Sequence, residues 1–447
     1  GPTFQEISIA FDSHQRPYIG FNDFEQINNA TNSVSVMKFD GTTWTAVGDR
    51  NFPGGPAEYA SLVLDSNDQP YLAYVDQANQ GKATVMTYNG TAWVPVGAQG
   101  ISNTGVGLTS LAIDSSDTLY LAYRNHGPPN KVSVKKFEGQ QWISVGSEEF
   151  SQGSAEYLSL KVNSQGIPYI AYQDGANSQK LTVMKLNSQS QQWEEVGSKA
   201  FSDGSALWGT LAFDDSDTPY VGYADGARSL YQTVMKFNSQ NDQWESVGEK
   251  GFSQADGGFV SFDVGPGNVP YIAFADNTFE SQGRISAWVY DGSKWKQAGK
   301  VGFNDGAPIQ STGLRVNGNK VPYTAFLDGG NNSKITVMRL SKGDKAPSVV
   351  EGTSEAVTLK ATDVEGDSIT FSISGGEDSA GFEIGGSSGL LAFKNPPDYE
   401  NPTDLGDGSG NNTYVVEISA DDSLGGISLT TITVTVTDGP EPPSLST

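Results

Sequence analysis

A tryptophan that returns six times at nearly constant spacing constrains this chain more than any other feature. Trp44, Trp93, Trp142, Trp193, Trp244 and Trp295 stand 49, 49, 51, 51 and 51 residues apart. Three residues after each of the first five comes a Val-Gly pair, from Val47-Gly48 to Val247-Gly248, and Ala298-Gly299 follows the sixth. A tyrosine, usually after proline, marks the same unit at Tyr18, Tyr71, Tyr120, Tyr169, Tyr220, Tyr271 and Tyr323. Self-similarity at this period means that one supersecondary unit is repeated, here seven times.

Each unit reads as four strands. In the second unit, Ser61-Leu62-Val63-Leu64-Asp65 leads through a polar turn into Tyr71 to Asp76. In the first, Ser33 to Phe39 is followed by Asp40-Gly41, a dipeptide that favours a tight hairpin, and then by the tryptophan strand. The second and third strands are apolar on both faces, with Ala73, Ala122 and Ala171 inside the second. A sheet solvated on one side alternates more cleanly. Sheets buried on both faces and repeated at this period predict an all-β, seven-bladed β-propeller over residues 1–343. The seventh unit has no tryptophan strand after Ile335 to Leu340. Either the fourth strand comes from upstream of Gly1, in a chain that reads as a piece of something longer, or the seventh blade has three strands.

Composition changes at Asp344-Lys345-Ala346-Pro347. From Lys345 on, the chain carries 17 acidic and 3 basic residues, out of a net charge of −25 overall. The rest of the sequence shows, in order, Glu351, Ala361-Thr362-Asp363-Val364-Glu365-Gly366-Asp367, Phe382-Glu383-Ile384, Ser388-Gly389-Leu390-Leu391, Pro397-Asp398-Tyr399-Glu400, Tyr414 to Asp422, and Thr437-Asp438-Gly439-Pro440-Glu441. This succession resembles the cadherin-like modules of large bacterial surface adhesins of the RTX type. The resemblance implies an Ig-like β-sandwich over residues 344–447 that binds Ca²⁺, a hard cation served by six to eight oxygen ligands. Carried over by position, Glu351, Asp398, Glu400, Asp438 and Glu441 face a following module, while Asp363, Glu365, Asp422 and the linker's Asp344 face the propeller. The ions then rigidify the joints between neighbouring modules of the chain. The competing reading is a merely acidic, solvated surface.

Several function classes are excluded or disfavoured. There is no cysteine, which removes disulfides, thiol nucleophiles and thiolate-bound zinc. The acidic charge argues against nucleic acid and anionic lipid, and no apolar run of membrane-spanning length exists. Only His14 and His126 are available for a serine triad, and neither is accompanied by a Gly-x-Ser-x-Gly elbow. Sialidase-type propellers share the Gly-x-x-Trp ending of Gly41-Thr42-Thr43-Trp44. They gather arginines for a carboxylate, however, and the arginines here occupy mostly inequivalent repeat positions.

The expected function is therefore non-enzymatic: a secreted or cell-surface adhesin region whose propeller binds a glycan or peptide. The alternatives are a passive spacer in a long adhesin and a glycoside hydrolase of the sialidase-like propeller type. Aromatic rings and carboxylates together suit sugar faces and hydroxyls, or a basic peptide end. Tyr59, Tyr157 and Trp208 begin their units' first strands, and Asp76, Asp174 and Asp225 close the second strands. An acid at that place in six units also fits a turn cap. Arg124, His126 and Trp208 break the repeat, so the scaffold does not demand them.

Overall fold

The computed structural model describes residues 7–23, 33–53, 55–278, 283–298, 302, 304, 309–328, 334–339, 347–361, 368–405, 410–421 and 427–439. The chain divides into two compact units, Gly1–Leu340 and Ser341–Thr447.

Among the described residues the first unit shows six four-stranded antiparallel sheets and a seventh of three strands. The first sheet runs Ser8–Phe11, Pro17–Asp23, Ser33–Phe39 and Trp44–Ala46 in spatial order. The inner strands of the other six are Ala57–Leu64, Val106–Ile113, Ala155–Val162, Ala206–Phe213, Gly257–Gly265 and Ile309–Val316. Each inner strand neighbours those of the sheets before and after it, and the seventh neighbours the first. Repeated sheets arranged this way form a β-propeller.

The tryptophan repeat is a joint between sheets. Trp93, Trp142, Trp193, Trp244 and Trp295 each donate the indole N–H to the carbonyl of the valine in the preceding sheet's Val-Gly pair, at 2.7–2.9 Å. The glycine of that pair has a left-handed φ (67° at Gly146), and a Cβ there would meet Trp193 at 2.9 Å. Four of these indoles also stack on a phenylalanine, Phe150 on Trp193 at 4.5 Å for example. Trp-x-x-Val-Gly thus encodes a hydrogen bond, a stack and the clearance that both require.

A second set of joints caps the free edges of the inner strands, where unpaired backbone donors would otherwise remain. The hydroxyls of Ser8, Ser61, Ser110 and Ser159 accept the backbone N–H of Leu62, Leu111, Leu160 and Leu211 in the following sheet, and Ser261 accepts that of Leu314. Gly313 holds the corresponding place in the seventh sheet. There an added Cβ would fall onto the carbonyl of Ile7, so glycine is what lets the last sheet approach the first. Ile7, Ile9, Ile19, Phe21, Ala325 and Leu327 fill this closing joint.

The seventh sheet has three strands among the described residues. Its outermost strand, Lys334–Arg339, leaves Ile335 to Met338 half-buried, whereas the corresponding Ala83 to Met86 are fully buried.

In the second unit, Ser348–Val350, Ile427–Thr437, Thr413–Asp421 and Thr370–Gly375 form one sheet, with the first pair parallel. Glu355–Thr358, Leu390–Phe393 and Phe382–Ile384 form another. Residues from both sheets, including Phe371, Phe382, Leu391, Phe393, Tyr414 and Val434, share one apolar core.

Candidate functional site

The seven inner strands of the first unit surround a cavity of about 630 Å³, a size that suits a small ligand. Its aromatic wall originates in a bulge. In the second, fourth, fifth and sixth sheets the inner strand slips register against its partner, between Glu58 and Ser61, Glu156 and Ser159, Leu207 and Thr210, and Gly258 and Ser261. The extra residue is Tyr59, Tyr157, Trp208 or Phe259, with φ of 58°, 53°, 54° and 52°. A left-handed backbone at a bulky side chain costs about 1–3 kcal/mol and collects at binding sites. Bulges re-aim side chains, and all four rings line the cavity. Trp208 lies between Tyr157 and Phe259, with ring centroids at 5.6 and 5.7 Å.

Arg124 reaches the same cavity from the second strand of the third sheet, Leu119–Asn125. Gly107 beside it makes the room, since a Cβ there would fall onto the guanidinium. Arg124 pairs with Glu156 of the next sheet, while its buried Nε has no hydrogen-bond partner among the described residues. Burial, with Glu156 adding to it, holds the Tyr157 hydroxyl above its ordinary pKa.

Four residues further along the inner strands, about 13 Å at 3.3 Å per residue, the wall changes character. Lys161 and Arg315 line it there. The corresponding places elsewhere hold Ala10, Val63, Ala112 and Ala212, and Asp263, which faces Arg315 at 3.7 Å. Lys161 has no hydrogen-bond or ion-pair partner among the described residues. Burial pushes its ammonium down to about 7, with Arg315 adding to the shift and Asp263 opposing it. Charge reading of the whole chain missed Lys161 and Arg315. Superposing the repeats would have found Lys161, a cation where other units carry alanine or valine.

The site residues expected from sequence therefore divide. Tyr59, Tyr157, Trp208 and Arg124 come together in one cavity. His126 is exposed and does not line it. Asp76, Asp174 and Asp225 are buried outside the cavity, and their oxygens are already used. Asp174 accepts from the backbone of Ala176, from the Asn177 amide and from the Thr182 hydroxyl. Asp225 accepts from Ala227, Arg228 and Thr233, and Asp76 from Asn79 and Thr84. They cap the turn that leaves the second strand, the scaffold role open to them in the sequence.

In the second unit, carboxylate oxygens of Glu351, Asp398 and Glu400 all lie within 4.8 Å of one another. Glu351 accepts the backbone N–H of Tyr399 at 2.9 Å and of Gly439 at 2.7 Å, which lowers its pKa. Three converging carboxylates, offering oxygen alone, match the donor chemistry of Ca²⁺. Asp438 is exposed, and Asp344, Asp363, Glu365, Asp422 and Glu441 lie outside the described residues. A further cluster, Asp12, His14 and Asp68, joins two neighbouring sheets of the first unit. Asp68 there accepts the backbone N–H and hydroxyl of Ser13 at 2.6 and 2.7 Å.

No family model matches the chain, and no curated protein matches it. Among solved structures it is similar to the six-bladed β-propeller lectin of Aleuria aurantia, at 15% identity and a TM-score of 0.46, covering 68% of this chain and 98% of the lectin. The SapL1 lectin in complex with alpha methyl fucoside is similar at 15% identity and a TM-score of 0.44, over 64% of this chain and 94% of the other. The Hadza microbial sialidase Hz136 is similar at 11% identity and a TM-score of 0.44, over 69% and 73%. No helix among the described residues is long and apolar enough to cross a membrane.

Proposed function

We propose that the first unit is a seven-bladed propeller whose central cavity binds carbohydrate without catalysis. The second unit is read as a cadherin-like Ca²⁺ module, the whole being part of a secreted or surface adhesin. The observation that carries the binding reading is the convergence of Tyr59, Tyr157, Trp208 and Phe259, each from a left-handed bulge, on one cavity that Arg124 also enters. Aromatic faces stack on the C–H faces of sugar rings, and a partly free guanidinium serves their hydroxyls. A hydrolase of glycosides ordinarily needs two carboxyl groups flanking the bond. Among the described residues that line the cavity, Glu156 is the one carboxylate, and Arg124 holds it.

A glycan array with the full chain tests this reading. Hits should be lost in Trp208→Ala and weakened about tenfold or more in Arg124→Ala. Hits that survive both changes place the ligand elsewhere. For the second unit, Glu351, Asp398 and Glu400 would hold the ion, which would bridge loops that otherwise repel. Excess Ca²⁺ should raise the melting midpoint of that unit by mass action and chelator should lower it. A midpoint indifferent to both removes the calcium assignment.

A further inference from the structure

The cavity's charge runs opposite to that of the chain. The molecule carries a net −25, yet the charged side chains lining the cavity among the described residues are Arg124, Lys161 and Arg315 against Glu156 alone. Arg124 is matched by Glu156, and Arg315 is partly matched by Asp263 at 3.7 Å. Asp263 is itself engaged, accepting the backbone N–H of Val316 at 2.9 Å. Lys161 has no hydrogen-bond or ion-pair partner among the described residues, and Asp263, which acts on it only at longer range, is shared with Arg315. An ammonium held in a protein wall without a counter-ion is costly, and it is normally neutralised or paired. The missing partner is an anion from outside, and the wall between Lys161 and the aromatic cluster is long enough to seat more than one sugar ring.

We propose that the cavity selects a carboxylate-bearing oligosaccharide, with the acid group seated at Lys161 and Arg315 and a neighbouring ring stacked on the aromatic cluster about 13 Å away along the strands. This rests on the carbohydrate reading given above and names its ligand class. A carboxylate suits the pair because a guanidinium donates two parallel hydrogen bonds to it while a lysine adds a point charge.

The test compares a trimer of α-1,4-linked galacturonate with its fully methyl-esterified counterpart, which keeps the rings and removes the charge. Calorimetric titration at pH 6.5 should show the acid binding about tenfold or more tighter than the ester. Lys161→Met should erase that preference, and because it removes a half-buried charge that has no ion-pair partner among the described residues, the variant should fold at least as well as the parent. Arg315→Gln should reduce the preference independently. For the acid, affinity should fall between pH 6 and pH 9 as Lys161, which shares its part of the wall with Arg315 and Asp263, loses its proton. The ester should show no such fall. Equal binding of acid and ester overturns the inference and leaves the carbohydrate reading standing. A preference that survives Lys161→Met also overturns it. Binding of neither trimer, nor of any glycan on the array, overturns both.

Discussion

The joints between the seven sheets are not alike, and the difference shows what each part of the repeat does. Five joints have an indole N–H bonded to a valine carbonyl of the preceding sheet. The two joints of the seventh sheet have none, because that sheet shows no tryptophan strand among the described residues. At the closing joint the serine is also replaced, by Gly313, and closure relies on an apolar cluster and an edge contact of Phe11 with Tyr323 at 5.1 Å. Directional joints therefore give way to close packing where the chain's first and last sheets meet. Turn contacts persist there, with the Gln15 side chain accepting the backbone N–H of Gly318.

Truncating the indoles should separate the two kinds of joint most strongly. Trp193→Ala removes a stack, a hydrogen bond and a large apolar surface, and should cost about 3–5 kcal/mol in a urea melt. Trp44→Ala, at the closing joint, should cost at most about half as much, since among the described residues no valine carbonyl of the preceding sheet accepts its indole N–H. Equal losses would erase the distinction. Next in size are the glycines. Gly146→Ala asks for a left-handed backbone and drives a Cβ to 2.9 Å from Trp193, and about 1–3 kcal/mol should be lost. Gly313→Ala should cost a comparable amount through the Ile7 carbonyl, and a neutral result there would mean the closing joint is slack. Ser110→Ala should be milder, about 1 kcal/mol, because it strands the backbone N–H of Leu160.

The most specific effect concerns pH. The pKa of Lys161 is about 7 in the folded chain and about 10.4 when unfolded. Between those values the unfolded state binds more protons, so the penalty from this group is fully present below pH 7 and fades as pH rises. Lys161→Met should accordingly raise the melting midpoint more at pH 6 than at pH 9.5. A gain independent of pH would show that the ammonium is not strained.

Much of this was legible in the sequence because the repeat supplies its own controls. Seven copies identify the strands, the tryptophan joints and the aromatic residues that begin the inner strands. The acids closing the second strands were ambiguous, since a capping carboxylate and a ligand-binding one look identical until their hydrogen-bond partners are seen. Lys161 and Arg315 were hidden for another reason. Which rungs of seven strands stand at one height depends on bulges, and a bulge at a tyrosine or tryptophan leaves no glycine to announce it. In the second unit, Glu351, Asp398 and Glu400 are 47 and 2 positions apart in sequence, and only the fold makes them neighbours.

The bulge carries one more consequence. Its backbone shape recurs with Tyr59, Tyr157, Trp208 and Phe259, so the scaffold specifies the bend and leaves the identity of the ring open. Those positions act as interchangeable sockets at one level of the ring. A lineage, or a designer, could exchange their occupants to change what is recognised while the tryptophan joints, which lie elsewhere in each unit, keep the architecture in place.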